Sequence, residues 1–294
     1  QEVDIATGKL LFQWRSIDHV PVTDSYHTPP PPDPTTPWDY FHINSIGVDP
    51  TDQNLLISSR NTWTVYKVDR HSGEVIWQLG GMHSDFSVDR RGHFAFQHHV
   101  RRHPGGLLTI FDNESGPPNE ARQSRGLVLR LDERRRHASF VRRYLHHPSV
   151  LSPALGSVQD LDNGSVFMGW GDSSWFTEYD PRGRVVLDGH LPPGCISYRA
   201  FEQAWTGRPW THPALAVTRA RHGANLCASW NGATEHRSWR VLSGRRARSL
   251  SAVGTVDVRG FETRISVRRP HAWVAVEALD ADGHVLGRSV AQRI

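Results

Sequence analysis

Side chains able to attack, pass a proton or hold a charge stand at the starts of three short apolar runs: His42 and Asn44 in FHINSI, Gln97, His98 and His99 in FQHHV, and Ser157 and Gln159 in GSVQDL. Arg125, beside Ser124, opens a fourth run. Neutral imidazole is a nucleophile, its pKa near working pH also lets it move protons, and a guanidinium neutralises oxyanions through paired N–H groups. Any single histidine among them is more simply a structural or surface residue. His98 and His99 are neighbours on one strand and so point to opposite faces, and no metal site is expected from them. No glycine-rich phosphate-binding loop occurs, and no cofactor is expected.

The elements that must position these residues are short strands. Trp38 to Gly81 reads as four in succession: His42 to Val48, Asn54 to Arg60, Thr64 to Asp69 and Glu74 to Leu79. Each is rich in β-branched, aromatic or leucine residues and bounded by turn formers. A four-strand up-and-down unit of this length has the form of one propeller blade, whose innermost strand lines a central channel. The pattern repeats. EVDIATGKLLFQW (Glu2 to Trp14) echoes KVDRHSGEVIWQL (Lys67 to Leu79), with weaker echoes at Leu129 to Arg143 and Thr177 to Leu187. Asp4, Asp69, Asp132 and Asp180 therefore mark the hairpins between the outer strands of successive blades, where Asp accepts backbone N–H groups and Gly supplies positive φ.

These hairpins frame the outer half of one blade and then three complete blades, with a proline-rich loop at His27 to Pro37 and an insertion at Asn113 to Ser124. Three and a half blades do not close a ring, so further blades are expected upstream of Gln1. The fold class is all-β, with a propeller and its connector over 1–213. Beyond Pro213 about seven short strands follow, read as a β-sandwich of immunoglobulin or fibronectin type III shape over 214–294, with Trp239 as a candidate core residue.

The charge pattern narrows the partners. Net charge is +4, and the basic residues are nearly all arginine, Lys9 and Lys67 being the two lysines. Runs such as Arg134 to Arg136 fall at a turn and strand edge and read as a solvated face, so no nucleic-acid partner is expected. No window reaches the roughly 18 apolar residues of a membrane helix, and no membrane insertion is expected. Cys195 and Cys227 form no framework and are read as unpaired thiols.

Taken together, WDYFHINSI (Trp38 to Ile46), NLLISSRNTWTVYKVDR (Asn54 to Arg70), GEVIWQLGG (Gly73 to Gly81), FQHH (Phe96 to His99), LTIFDN (Leu108 to Asn113), QSRGLVLRLD (Gln123 to Asp132) and SYRAF (Ser197 to Phe201) make this chain resemble the PAPS-independent arylsulfate sulfotransferases. The likeness covers Gln1 to Trp210, and similarity to a bacterial branch with a C-terminal β-sandwich extends it to the end. It implies a six-bladed propeller, secreted or held at the cell envelope. The implied activity moves a sulfuryl group from an aryl sulfate to a phenol through a sulfohistidine. By motif it assigns His98, His42 and Arg125 to catalysis, and Asn44, Gln97, Gln159 and Arg199 to substrate binding. Small-molecule aryl sulfate and phenol are the implied partners. One departure stands out. Where the family carries a third, sulfated histidine, this chain has Ser157 and Gln159. Either His98 or His42 is then the nucleophile, or the protein is a divergent propeller that binds, scaffolds or acts otherwise on an aromatic substrate.

Overall fold

The computed structural model describes residues 1–32, 35–114 and 123–294, and these divide into two compact units, Gln1–Glu202 and Gln203–Ile294. Most of the insertion expected at Asn113 to Ser124, and Asp33 and Pro34 of the proline-rich loop, lie outside the described residues. The described residues are all-β, with a few 3-10 turns and no α-helix.

The first unit opens with a two-stranded antiparallel ribbon, β1 (Glu2–Val3) and β2 (Leu10–Phe12). Three antiparallel meanders follow. The first is β3 (Ile43–Val48), β4 (Leu55–Ser59), β5 (Thr64–Val68) and β6 (Val75–Gly80). The short β7 (Ser87–Val88) then pairs in parallel with the outer edge of the second meander. That meander is β8 (His98–Arg102), β9 (Leu107–Asp112), β10 (Arg125–Asp132) and β11 (His137–Tyr144). The third is β12 (Ser157–Asp160), β13 (Val166–Gly169), β14 (Trp175–Tyr179) and β15 (Val185–His190). Among the described residues these sheets do not close into a ring.

The hairpin aspartates do what their spacing predicts. Asp69 Oδ1 accepts the N–H groups of His71 and Ser72 at 2.8 Å each, and Gly73 N–H returns to the Asp69 carbonyl. Asp4, Asp132 and Asp180 cap their turns through Thr7, Arg135 and Arg182 in the same way. A short aspartate can satisfy turn N–H groups that no strand reaches.

Apolar side chains from adjacent meanders fuse into shared cores. Leu56, Val65, Trp77 and Leu79 of the first pack with Val100, Leu108, Ile110 and Leu127 of the second. Phe111, Val128 and Tyr144 of the second pack with Val158, Met168, Trp170 and Tyr179 of the third. Gly156 has φ +110 at the second junction, and a Cβ there would stand 2.4 Å from the Phe111 ring. Neither backbone nor space admits a side chain, so Gly156→Ala is expected to cost about 3 kcal/mol, read as a lowered denaturation midpoint.

A buried ionic cluster also ties the first two meanders. Lys67 Nζ lies 2.9 Å from Asp49 Oδ2, 2.7 Å from Asp52 and 3.6 Å from Glu133, the last in the β10–β11 turn. Arg102 reaches Glu133 at 2.8 Å, and Trp77 Nε1–H donates to the same carboxylate. Burial pushes the Asp49 carboxyl up, but bonds from Thr51 and Lys67 outweigh it and hold the group below its ordinary value.

The second unit holds a three-stranded sheet of β16 (Ala214–Ala220), β17 (Gly223–Ser229) and β20 (Glu262–Arg268). Its other sheet is built of β18 (Ser238–Arg246), β19 (Ser249–Asp257), β21 (Trp273–Leu279), β22 (Val285–Arg288) and β23 (Gln292–Arg293). Leu226, Ala228 and Ile265 of the first sheet share one core with Trp239, Val241, Val274 and Val276 of the second. Trp239 is fully buried, and its Nε1–H donates to Thr263. Strands resume at Ala214, while the preceding segment already joins this unit through Gly207 and Thr234, Arg208 and Glu235, and Thr211 and Trp230.

Candidate active site

Neighbouring meanders share no ladder at their inner strands β3, β8 and β12, so the backbone N–H groups there need other partners. Polar side chains supply them. Val100 N–H donates to Ser45 Oγ, Leu155 N–H to His98 Nε2, and Val158 N–H to His99 Nδ1. Many of the polar residues at these strand starts are therefore spent on joining sheets.

His98 is 2% exposed. Its Nδ1 faces the Phe96 carbonyl at 3.1 Å and Asn113 Oδ1 at 2.8 Å, while Nε2 accepts from Leu155 N–H at 3.2 Å. Asn113 is itself fixed, donating from Nδ2 to the Ser152 and Leu155 carbonyls. One tautomer, neutral with the proton on Nδ1, meets all of these bonds. Burial, with the nearby charges of Arg60 and His42, brings the His98 pKa down to about 4 against the bonds to Asn113 and Phe96.

His99 departs from simple strand alternation. A register shift lies between His98 and Arg101, His99 has φ +49, and both imidazoles bond into the 155–158 segment. The bulge thus turns two neighbouring rings toward the same strand start. Burial, then the charges of Arg101 and Arg199, lower the His99 pKa to about 3.

His42 is different. It is exposed, stands at φ +57 just before β3, and its Nδ1 is paired with Asp39 Oδ2. A carboxylate on Nδ1 fixes the ring and leaves the lone pair on Nε2. Left-handed backbone at non-glycine residues recurs around it, at Trp63 (φ +53), Phe96 (φ +55) and Leu155 (φ +67).

Arg125 is bonded to neither His42 nor His98. Its Nε donates to Asp112 at 2.9 Å, and one terminal nitrogen reaches both Glu114 at 2.7 Å and the His93 carbonyl at 2.6 Å. Asn113 bonds His98 while its two chain neighbours bond Arg125, so these side chains lie on opposite flanks of one segment. Arg125 lines a cavity of about 610 Å³ with Tyr26, Trp63, Arg90, His93 and Glu114, and neither His42 nor His98 is part of that lining.

The four residues assigned to substrate by motif are also engaged. Gln97 is fully buried and donates from Nε2 to Ser58 and to the Ser59 and Thr64 carbonyls. Asn44 Nδ2 donates to the Gln97 carbonyl, and its Oδ1 is buried without a partner among the described residues. Gln159 exchanges two hydrogen bonds with the Glu202 backbone. Arg199 donates to the Asn44 carbonyl at 2.6 Å, linking the 197–202 segment to β3. Ser157, at the place of the absent third histidine, exchanges bonds with the Ala200 backbone.

Two residues not singled out from the sequence belong to the site. Asp39 holds His42, and Arg60 places its guanidinium 5.0 Å from the Phe96 ring centre and feels both Asp39 and His98. The spacing of three positions from Asp39 to His42 was a readable signal. Arg60 sits in a turn, where an arginine carries none. Among the described residues, the side chains close enough to share an ion are Asp280, Asp282 and His284, in a hairpin of the second unit where Asp280 already caps the turn.

Residues 1–191 match the model of a family described as arylsulfotransferase (ASST). No curated protein sequence matches the chain. Among solved structures it is similar to a protein of unknown function from Bacteroides caccae, at 12% identity and TM-score 0.31, covering 87% of this chain and 69% of that one. Hydrazine synthase of Kuenenia stuttgartiensis aligns at 11% identity and TM-score 0.34, over 83% of this chain and 60% of that one. The PQQ-bound aldose sugar dehydrogenase of Streptomyces coelicolor aligns at 15% identity and TM-score 0.35, over 86% and 80%.

Proposed function

This chain belongs to the arylsulfotransferase family, its family model matching residues 1–191, and on that premise we propose that it moves a sulfuryl group from an aryl sulfate to a phenol through a sulfohistidine at His42. The observation that carries the choice of residue is the contrast between the two histidines. His42 is exposed and oriented by Asp39, whereas both ring nitrogens of His98 are taken up by Asn113, Phe96 and Leu155.

In the first half-reaction His42 Nε2 attacks sulfur and the bond from sulfur to the aryl oxygen breaks, with the electron pair leaving on the phenolate, which takes a proton from water. Asp39 stabilises the positive charge that the ring acquires. In the second, the acceptor's phenolate oxygen attacks sulfur, the N–S bond breaks, and His42 returns neutral. His98 acts as a brace, through Asn113 and Leu155, for the wall facing this ring. The meanders of the first unit are blades of a propeller that has six in the intact protein. The second unit is a sandwich of fibronectin or immunoglobulin shape, a reading supported by its two sheets around one core.

Intact mass after brief exposure to an aryl sulfate without acceptor tests the reading. Wild type is expected to gain one sulfo group and His42→Ala none. Gain in His42→Ala but not in His98→Gln would move the nucleophile to His98. No gain by wild type, with no phenol released, would remove sulfotransfer and leave the binding or scaffold reading.

A further inference from the structure

An aryl sulfate brings a negative charge to His42, and the arginine assigned by motif to meet it is already bonded to two carboxylates. Arg60 is in the opposite condition. No carboxylate oxygen of a described residue lies within ion-pair distance of its guanidinium, and its Nε is buried without a hydrogen bond. NH1 donates to Asn61 Oδ1 at 3.0 Å, and the Phe96 ring lies beneath the guanidinium. Asp39, whose charge acts on it, is itself bonded to His42, and a half-buried cation with no direct ion pair favours an anion beside it.

The backbone places residue 60 beside residue 42. Arg60 N–H donates to the His42 carbonyl at 3.0 Å, and Asn61 N–H to the Phe41 carbonyl at 3.2 Å. Asn61 Nδ2 donates to the Asp39 carbonyl. The 60–61 turn is thus stapled along the segment that carries the Asp39 and His42 pair. Phe96, under the guanidinium, is the residue whose carbonyl faces His98 Nδ1.

We propose that Arg60, rather than Arg125, is the cation that takes the sulfuryl oxygens of the substrate in front of His42. The inference rests on the sulfotransfer reading for the identity of the anion. Planar N–H groups on Arg60 meet two sulfuryl oxygens, while the N–H groups of Arg125 are taken up by Asp112, Glu114 and the His93 carbonyl.

Binding of inorganic sulfate, measured by titration calorimetry on wild type, Arg60→Gln, Arg60→Lys and Arg125→Gln, tests this without turnover. The staples use backbone groups of residue 60, so substitution leaves them in place. Arg60→Gln is expected to weaken sulfate binding about tenfold or more, with near-ultraviolet circular dichroism unchanged, and Arg60→Lys to recover part of it. If Arg60→Gln does not fold, weaker sulfate binding by folded Arg60→Lys supports the proposal, and unchanged binding overturns it. Equal binding by wild type and Arg60→Gln, no binding by wild type, or a larger loss in Arg125→Gln than in Arg60→Gln would also overturn it. Sulfate held through Arg60 by a protein that gains no mass from aryl sulfates would keep the anion site and reject the transfer chemistry.

Discussion

Acidification from about pH 7.5 to about 4.5 is expected to remove roughly 5 kcal/mol from the contribution that two buried histidines make to folding stability, most of it in a range where carboxylates are still ionised. The cause is two imidazoles buried in neutral form. His98 and His99 have native pKa values of about 4 and about 3 against an ordinary 6.5, chiefly through burial. Their native values are depressed, so the stability they contribute is complete above 6.5. As pH falls below 6.5 the unfolded chain takes up two protons that the native state refuses, costing about 1.4 kcal/mol per pH unit for each ring. The decline ends for each only when its native pKa is passed. His103, also lowered by burial, adds to the trend. Asp112, pushed up by burial and by Glu114 against the pull of Arg125, works the other way. Urea denaturation across this pH range in wild type and His99→Phe isolates the effect. The variant's stability should fall with pH less steeply, by about one proton, and an unchanged slope would refute the assignment.

Lys67→Met is expected to cost about 3–5 kcal/mol, the usual cost of stranding a buried charge. Asp49 has no exposed side-chain surface, and without Lys67 its nearest remaining cation is Arg102 at 3.8 Å. Asp52 and Glu133, both partly exposed, can turn to water, but Asp49 cannot. The double variant Lys67→Met with Asp49→Asn should regain a large part of the loss, because the amide keeps the Thr51 cap and carries no charge. Chemical denaturation of the single and double variants measures this, and equal destabilisation in both would show that packing of the lysine stem, not the stranded carboxylate, sets the cost.

The strands were legible because turn chemistry is local. An aspartate two or three residues before the N–H groups it caps can be read directly, and Asp69 and Asp180 lie where their sequences put them. The site was legible only as a set of positions. At an inner strand start the sequence shows which residues are polar, but not which face solvent and which stitch one sheet to the next. Gln97 and Gln159 look like site residues and bond backbone. The His99 bulge could not be foreseen from alternation, since its φ of +49 depends on contacts with a segment nearly sixty residues away. Which arginine is free to meet an anion is hidden for the same reason. Arg125 is taken up by Asp112, its partner on the adjacent strand, and by Glu114, and pairing between strands is a tertiary property.

The left-handed corners at His42, Trp63, Phe96, His99 and Leu155 carry a consequence for how such a protein can change over generations. Each holds a side chain in a conformation costing of order 1 kcal/mol or more, which glycine would adopt without strain. Phe96 and His99 are buried and offset that strain by packing, but at the exposed His42 corner a glycine would relieve it and lose little. A descendant with no use for that histidine could relax the corner, so loss of the imidazole and gain of heat resistance would travel together.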